Sequence, residues 1–496
     1  MPQKSSFKHF IFRENRKLFF ITVGLLVYHF ILLKIFYPHT IVIGDGHHYV
    51  RVAMNNLEIS GWPIGYPKLL ELIHFFAKGD WAVGCFQYIL LEGAVLYFYF
   101  TVQYLLRPGK LVSLVTLGCL LVNPFILFIG NYVLSDGPFA AFTILWFTFT
   151  LWYLYKPRPV YTFLIVISFI LAYSIRYYAM FYPIISIPIF LLSTGRWWVK
   201  GSAILLGCLL LFGFRWYTEN LFVQSIGKRE FSPLSGWRLA GNALIMYRHF
   251  SIPQRAEDIV PPGLQGLHRV VLQDLSVMPT PDEVPDRLLV NYFTFQLSSP
   301  LSRYSKVYFD DYITTPEIRR WDSVGSTYRE YGFFLIKMHP VSYLRFYVWQ
   351  GVDWYIHPKV DITNVFPSGG VPILEETRKW FGYTGNWSAC SSTNFYSITY
   401  FPIVVTVLNL LLVLCLINFF LGGCYRAASP LVKKLVIFVA AYWLIDFGFV
   451  IFTTPALLRY AMSGMIVNIA FVPFLLERIL IINDFFAFRQ RALKFN

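Results

Sequence analysis

Long apolar segments recur along the whole chain, and they constrain its fold more than any other feature. A helix of about 20 residues crosses roughly 30 Å of hydrocarbon, so each segment is a candidate membrane span. Charged residues make up only 14% of the chain, against roughly 25% in soluble domains. The sequence therefore predicts a polytopic membrane protein with about ten spans, near residues 18–37, 81–106, 111–129, 137–155, 160–175, 178–193, 200–216, 396–422, 435–453 and 460–482.

Positive charge on alternate connections predicts the topology. Lys and Arg are concentrated in the N-terminal segment and in every second connection between spans. Such residues accumulate on the cytoplasmic side of a membrane. Both termini are therefore predicted to be cytoplasmic, and the first span to be retained as an anchor instead of cleaved. The loop 38–80, the turn 130–136 and the segment 217–395 then share the opposite side.

The polar stretch between the seventh and eighth spans is predicted to form a separate region. We call residues 217–395 the outer segment; it separates an N-terminal membrane block, 1–216, from a C-terminal block, 396–496. It contains 17 Lys/Arg and 17 Asp/Glu, so it lacks the basic face that a nucleic-acid partner requires. Within it, residues 331–355 have an aromatic and apolar face. This pattern is typical either of an amphipathic helix in the membrane interface or of a core helix in a small outer domain.

An aspartate in the first outer loop is a candidate catalytic residue. Asp45 stands in the sequence IVIGDGHHYVR, just beyond the outer end of the first span. Its neighbours Gly44 and Gly46 allow a tight turn that brings the carboxylate close to a ligand. A carboxylate at the membrane surface can accept a proton from a sugar hydroxyl or bind a divalent cation. The alternative is a helix-capping aspartate on a solvated loop.

Three further ionisable residues map to the outer ends of spans. Asp136 begins the fourth span in the sequence SDGPFAAF, where it either only caps the helix or also positions a phosphate-bound cation or a catalytic partner. Arg176 and Arg459 carry guanidinium groups suited to two-point contacts with phosphate oxygens at the depth of lipid headgroups. The alternative for both arginines is a snorkelling anchor.

Histidines and deeper carboxylates give weaker signals. His47 and His48 are adjacent and point to different sides of an extended segment, which disfavours a shared metal and leaves open whether one of them contacts a substrate. Glu92 and Asp446 lie within spans, either in a buried polar network or on a transport path, and a structural role is favoured for Glu92. Asn386 begins a weak match to the glycosylation acceptor pattern.

The order of these motifs resembles a known enzyme family. GDGHHYVRVAMNN follows the first span, GWPIGYPKLLELIHFF comes next, SDGPFAAFTILWF opens the fourth span, LAYSIRYYAMFYPI lies near the fifth and TTPALLRYAMSGMIVNIAFVPFL enters the last. This order resembles the bacterial GT-C glycosyltransferases, in the superfamily of protein O-mannosyltransferases and aminoarabinose transferases. The resemblance covers residues 1–216 and 396–482, whereas the outer segment resembles nothing in that family.

The resemblance implies an all-α, GT-C-like bundle that transfers a sugar from a polyprenyl-phosphate donor to a protein, lipid or glycan acceptor. It implies catalytic roles for Asp45 and Asp136. The family often has an acidic pair in the first loop, whereas Gly46 and His47 follow Asp45 here. This departure leaves open whether the two aspartates hold a divalent cation, Mg²⁺ or Mn²⁺. The candidate substrate-binding residues within the motifs are His47, His48, Arg51, Tyr66, Arg176, Arg459 and Tyr460.

The expected chemistry is one inverting displacement in a bacterial inner membrane. Asp45 would activate the acceptor hydroxyl, while Arg176 or Arg459 holds the departing polyprenyl phosphate. Three alternatives remain: a transporter or lipid flippase with Glu92 and Asp446 on its pathway, a ligase that joins a preassembled glycan to a lipid or polymer, and a scaffold or sensor without enzymatic activity.

Overall fold

Helices account for nearly all the regular structure of the residues that the structure describes. The computed structural model describes residues 6–251, 254, 259–289, 291–308, 317–359, 371–385, 387–388, 400–453 and 456–494. Within these ranges, eight helical segments are long and apolar enough to cross a membrane, and two shorter apolar ones accompany them. The eight are Arg16–Phe36, Asp80–Leu106, Lys110–Ile129, Asp136–Tyr155, Trp197–Ile226, Phe401–Leu421, Pro430–Thr453 and Met462–Ile481; the shorter two are Pro159–Ile175 and Tyr177–Leu192.

The prediction of an all-α polytopic membrane protein is confirmed, with differences at several spans. The predicted spans 160–175 and 178–193 correspond to the two shorter helical segments. The helix from Trp197 continues to Ile226, past the predicted start of the outer segment. The last helix, which begins at Met462, continues to Lys494. Hydropathy marks only the apolar part of a helix, so it does not show how far polar residues extend these two helices.

The third span contains a break that its sequence explains. The helix Lys110–Leu121 ends, and a second helix, Pro124–Ile129, begins after Asn123. The Asn123 side chain accepts hydrogen bonds from the backbone N–H groups of Phe125 and Ile126. Proline directly after an asparagine cap is favourable at a helix start, because the missing N–H needs no partner there. The break directs the chain into the turn that precedes Asp136.

The first loop is tied to that turn by backbone hydrogen bonds. Ile41 pairs with Tyr132 in a parallel bridge: its N–H donates to the Asn131 carbonyl at 2.9 Å, and its carbonyl accepts from the Val133 N–H at 2.9 Å. The loop then forms two helices, Asp45–Met54 and Gly65–Phe76. Two separate chain segments therefore run side by side just before the two candidate aspartates.

The glycines around Asp45 have different physical roles. Gly44 has a φ of +50°, a conformation that residues with a side chain adopt at a cost. At Gly46, a β-carbon would lie 2.6 Å from the Val133 carbonyl oxygen. Gly46 therefore permits the close approach of the first loop to the turn before Asp136.

The outer segment contains its own apolar core. Its main buried residues, among them Trp237, Tyr328 and Tyr331, form a cluster that continues onto the membrane helix at Val450 and Ile451. The described helices of at least seven residues in this segment, after Trp197–Ile226, are Pro233–Tyr247, Gln265–Val277, Pro300–Tyr308, Glu317–Met338, Trp349–Ile356 and Glu375–Phe381. Two-residue strands, Val371–Pro372 and Trp387–Ser388, pair antiparallel.

The stretch predicted as one helical pattern, 331–355, is divided in the structure. The long helix ends at Met338, and the chain continues through Pro340–Tyr343 and a π-helical turn, Leu344–Val348, into Trp349–Ile356. Proline cannot donate the hydrogen bond that would continue the first helix. Buried aromatic residues from both parts pack into the core of the outer segment, while Trp349 is 74% exposed.

A short bridge joins the outer segment to the end of the bundle that carries the candidate residues. Lys359 pairs with Leu457 in parallel, and the Leu458 N–H donates to the Lys359 carbonyl at 3.0 Å. Arg459 follows immediately. The position of this arginine is therefore set by a contact between distant parts of the chain.

Candidate functional site

Two carboxylates and two arginines from four parts of the chain form one ion-pair network. Arg176 Nη2 lies 2.7 Å from Asp136 Oδ2. Arg459 Nη1 lies 3.1 Å from Asp45 Oδ2 and 3.5 Å from Asp136 Oδ2. Arg459 thus bridges the two aspartates. The structure brings together the four ionisable residues that the sequence placed at the outer ends of spans.

Each member of the network lies at or near the end of a helix. Asp45 and Asp136 are the first residues of Asp45–Met54 and Asp136–Tyr155, where the helix dipole favours negative charge. Arg176 directly follows the helix that ends at Ile175. Arg459 lies in the turn before the last helix begins at Met462. The contacts between them place all four chain segments at the same end of the bundle.

Ser135, the residue before Asp136, contacts the network and does not cap the helix that follows. Its side chain makes no capping hydrogen bond to the helix that follows. Its Oγ instead accepts from Arg176 Nε at 3.0 Å and lies 3.1 Å from the Tyr49 hydroxyl. Burial, with the negative charge of Asp45, raises the pKa of Tyr49 above its ordinary value. Tyr49 therefore remains a neutral hydroxyl beside the network.

An aromatic ring covers both arginines of the network. The Tyr460 ring centroid lies 5.0 Å from the guanidinium carbon of Arg176 and 5.0 Å from that of Arg459. Phe139 adds a second ring, 5.7 Å from Arg176. Cations over aromatic faces gain electrostatic attraction, more when they are withdrawn from water. The rings hold the guanidinium groups in place without adding negative charge.

A cavity of about 520 Å³ opens beside the network. Asp45, Arg176 and Tyr460 line it, whereas Asp136 and Arg459 lie behind them with side-chain exposures of 0% and 9%. Most of the remaining lining is aromatic or aliphatic, and it includes Trp62, Phe139, Met180, Phe333 and Phe452. Three of these, Met180, Phe333 and Phe452, are about half exposed. The cavity therefore joins a small charged region to an apolar surface, which suits an amphiphilic ligand.

Two cavity-lining arginines come from the outer segment, and the sequence reasoning missed both. Arg329 is paired with Glu230 at 2.5 Å. Arg238 donates from Nη1 to Asn291 Oδ1 at 3.0 Å and lies over the Phe295 ring at 4.5 Å. Only the tertiary packing of a segment without recognisable motifs brings these residues to the cavity. The sequence signal for Arg238 is its position as a cation within the otherwise largely apolar helix PLSGWRLAGNALIMY.

Four predicted binding residues lie away from the cavity lining. Burial lowers the pKa of His47, which favours its neutral form. The side chains of all four contact the rest of the protein. Their partners are Thr377 for His47 at 3.2 Å, Ser60 for His48 at 2.7 Å, Glu376 for Arg51 at 3.5 Å and Gln87 for Tyr66 at 2.8 Å.

The two deep carboxylates are not partners of one another. Asp446 accepts hydrogen bonds from the hydroxyls of Tyr178 at 2.7 Å and Tyr355 at 2.8 Å. Glu92 is buried in the helix Asp80–Leu106 beside leucine and valine side chains. Neither belongs to the lining of the large cavity. The predicted glycosylation position, Asn386, lies outside the described residues.

The two aspartates do not fit a divalent-cation site. Such a cation needs several oxygen ligands with excess negative charge. Within the part of the chain that the structure describes, no group of three or more His, Cys, Asp and Glu side chains is arranged to hold a metal. Asp45 and Asp136 are already paired with Arg176 and Arg459, whose charges would repel a cation. We therefore assign no chemical step to a metal.

Comparison of this chain with protein-family models, with curated proteins and with solved structures found no match.

Proposed function

We propose that this protein is an integral-membrane glycosyltransferase that uses a polyprenyl-phosphate-linked sugar as its donor. One observation carries the proposal: the carboxylate of Asp45 and the guanidinium of Arg176 line the same largely apolar cavity at one end of a membrane-helix bundle. A carboxylate and a guanidinium are the groups needed to activate a hydroxyl and to hold a phosphate. The motif resemblance to the GT-C family supports the same activity.

The proposed setting is a bacterial inner membrane with both termini in the cytoplasm. The distribution of Lys and Arg supports this orientation. It puts the cavity on the periplasmic side, where membrane lipids surround it and a protein, lipid or glycan acceptor can reach it. The apolar lining, with half-exposed Met180, Phe333 and Phe452, suits the isoprenoid chain of a donor that diffuses in the bilayer.

In the proposed reaction, Asp45 is the general base. Its carboxylate takes the proton of the acceptor hydroxyl, and the acceptor oxygen then forms a bond to the anomeric carbon. The bond between that carbon and the phosphate oxygen breaks on the opposite face, and the electron pair leaves with polyprenyl phosphate. A positioned base contributes about 10²- to 10⁴-fold to such a step. A single displacement inverts the configuration at the anomeric carbon.

The network gives its two arginines different parts in this reaction. Arg176 lines the cavity and is placed to donate hydrogen bonds to the departing phosphate. Arg459 lies behind the lining and bonds to Asp45, so it orients the base. Asp136, whose side chain is fully buried, connects the two arginines. Preorganised charges of this kind need no rearrangement during the reaction.

The transporter alternative has less support from the geometry. A transport path needs ionisable groups along the interior of the bundle. Glu92 and Asp446 both lie outside the cavity lining, and Asp446 accepts its hydrogen bonds from two tyrosines. The polar residues that line the cavity are instead grouped at one end of the helices.

The test is a transfer assay on the purified protein in detergent. A panel of polyprenyl-phosphate sugars is supplied, and release of polyprenyl phosphate is measured. We expect release with one donor class and at least a 100-fold loss in Asp45→Asn, as expected for removal of a positioned base, with the thermal unfolding profile retained. Asp282→Asn, at an exposed position of the outer segment, is the matched control.

Two outcomes would contradict the proposal. Full transfer by a folded Asp45→Asn variant would show that another group is the base. Release with none of the donors would remove the basis for a transferase and favour the transporter alternative.

A further inference from the structure

Among the residues that the structure describes, the charges that line or adjoin the cavity are balanced except at Arg238. Arg176 and Arg459 are offset by Asp45 and Asp136 within the network. Arg329 is offset by Glu230. Among the described residues, Arg238 is the one cation of the lining without a carboxylate in ion-pair distance. It contacts a neutral amide and an aromatic ring.

The guanidinium group of Arg238 is held in place, but most of its N–H donors make no hydrogen bond to the described residues. Arginine has five N–H donors, and within the described part of the chain Arg238 uses one of them, to Asn291 Oδ1. The Phe295 ring lies 4.5 Å from its guanidinium carbon and holds the plane of the group without neutralising it. A half-buried cation in a mostly apolar cavity attracts an anion strongly, because little water screens its charge.

The backbone that carries Arg238 has little freedom to move. The two preceding residues, Gly236 and Trp237, pack closely against the helix Glu317–Met338. A β-carbon at Gly236 would lie only 1.9 Å from the Gly325 carbonyl oxygen. Trp237 stacks on Trp321 at 4.1 Å and donates from Nε1 to its carbonyl at 3.0 Å. Rigid support of this kind lowers the entropic cost of binding a ligand.

We propose that Arg238 binds the anionic group of the substrate in this cavity. The inference rests on the proposed function for the identity of the cavity, and it names the recognised chemistry as a phosphate or carboxylate. The phosphate of the lipid donor and an acidic group of a water-soluble acceptor are the two possible sources. The arginines of the network then orient the reacting groups, while Arg238 supplies the net positive charge at the cavity wall.

Binding measurements separate this proposal from catalysis. The probes are a polyprenyl monophosphate, the matching polyprenol, and inorganic phosphate, each added to the purified full-length protein in detergent. Binding is followed by the ligand-induced shift in thermal unfolding and by equilibrium dialysis. We expect the lipid phosphate to bind more tightly than the alcohol. In Arg238→Gln this preference should fall by about 10- to 100-fold, the range for loss of a charged hydrogen bond.

Two variants distinguish an anion site from a structural role. Arg238→Lys keeps the charge, and it should retain part of the preference for the phosphate over the alcohol. Arg345→Gln removes an exposed arginine of the outer segment that also lies over a phenylalanine ring, at 5.1 Å, but is outside the cavity lining. This control should leave the preference unchanged. Ligand-free unfolding curves show whether each variant is folded.

The outcomes identify the source of the anion. Loss of the lipid-phosphate preference in Arg238→Gln assigns the donor phosphate to Arg238. If Arg238→Gln weakens the binding of inorganic phosphate alone, Arg238 is assigned to an anionic group of the acceptor. If Arg238→Gln weakens neither, the proposal is overturned. If the wild-type protein does not distinguish lipid phosphate from alcohol, the proposed donor is wrong, and the inorganic-phosphate measurement alone decides the role of Arg238.

Discussion

A buried carboxyl group in the outer segment makes the stability of this protein depend on pH. Asp322 lies in the helix Glu317–Met338 with no exposed surface. Neither of its carboxylate oxygens has a hydrogen-bond partner among the described residues. Burial and the nearby negative charge of Glu230 raise the pKa of Asp322 from 3.8 to about 8. Glu230 itself is paired with Arg329.

The sign and size of the effect follow from this shift. Between pH 4 and pH 8 the unfolded chain has lost the Asp322 proton while the folded protein keeps it. As far as Asp322 is concerned, the free energy of unfolding is therefore highest below pH 4 and falls as the pH rises toward 8. Each pH unit costs at most about 1.4 kcal/mol, so the loss between pH 5 and pH 7 is about 3 kcal/mol. Asp322→Asn keeps the shape of the side chain and removes the titration.

The assay compares denaturant unfolding of wild type and Asp322→Asn in detergent at pH 5, 6, 7 and 8. We expect the variant to gain about 3 kcal/mol relative to wild type between pH 5 and pH 7. Asp282→Asn, which removes an exposed carboxylate, should follow wild type. Parallel curves for wild type and Asp322→Asn would refute the reasoning, because they would mean that Asp322 is ionised in the folded protein throughout this range.

Two other predictions concern the ion-pair network. Gly46→Ala should reduce transfer, because the new β-carbon would lie 2.6 Å from a backbone oxygen and displace Asp45. The control is Gly93→Ala, which should keep wild-type transfer because no atom outside its own helix backbone lies within 4 Å of the new β-carbon. Equal activity of the two variants would contradict the argument. Asp136→Ala should lower the free energy of unfolding by about 3–5 kcal/mol, because two arginines lose a buried partner. In denaturant unfolding, the double variant Asp136→Ala with Arg176→Met should recover part of this loss. If the effects of the two substitutions simply add, Asp136 and Arg176 are not coupled.

The sequence predicted a shared side of the membrane for the four residues of the network, but it did not predict the ion pairs between them. Four ionisable residues at the ends of apolar segments are costly unless they meet partners, and the alternation of positive loops put Asp45, Asp136, Arg176 and Arg459 on one side. The structure places them within one set of ion pairs. The same logic did not separate residues that face the cavity from those behind it. That difference depends on rotation of each chain segment, which hydropathy does not encode.

The outer segment could not be predicted in the same way. Its helices are polar on one face and end at positions set by packing, as at Met338 before Pro340. Arg238 reaches the cavity because glycines allow two helices to approach closely, with Gly236 against Gly325. Contacts between residues far apart in sequence leave no periodic pattern. Residues such as His48 stood in a conspicuous motif, yet the structure pairs this side chain with Ser60.

The placement of charge around the cavity has a consequence for the proposed reaction. When Asp45 takes the acceptor proton, its negative charge disappears, and one additional negative charge arises on the departing phosphate. Arg459 bonds to Asp45 and so favours the state before transfer. If the anion that Arg238 binds is the donor phosphate, Arg238 favours the state after transfer, since no carboxylate among the described residues lies in ion-pair distance of it. Because Asp45 and Asp136 offset the charges of the two arginines, the network positions the base and holds the product less strongly than unpaired arginines would. In the proposed reaction, Arg238 would then supply an electrostatic preference for the transition state that offsets the stabilisation of ionised Asp45 by Arg459.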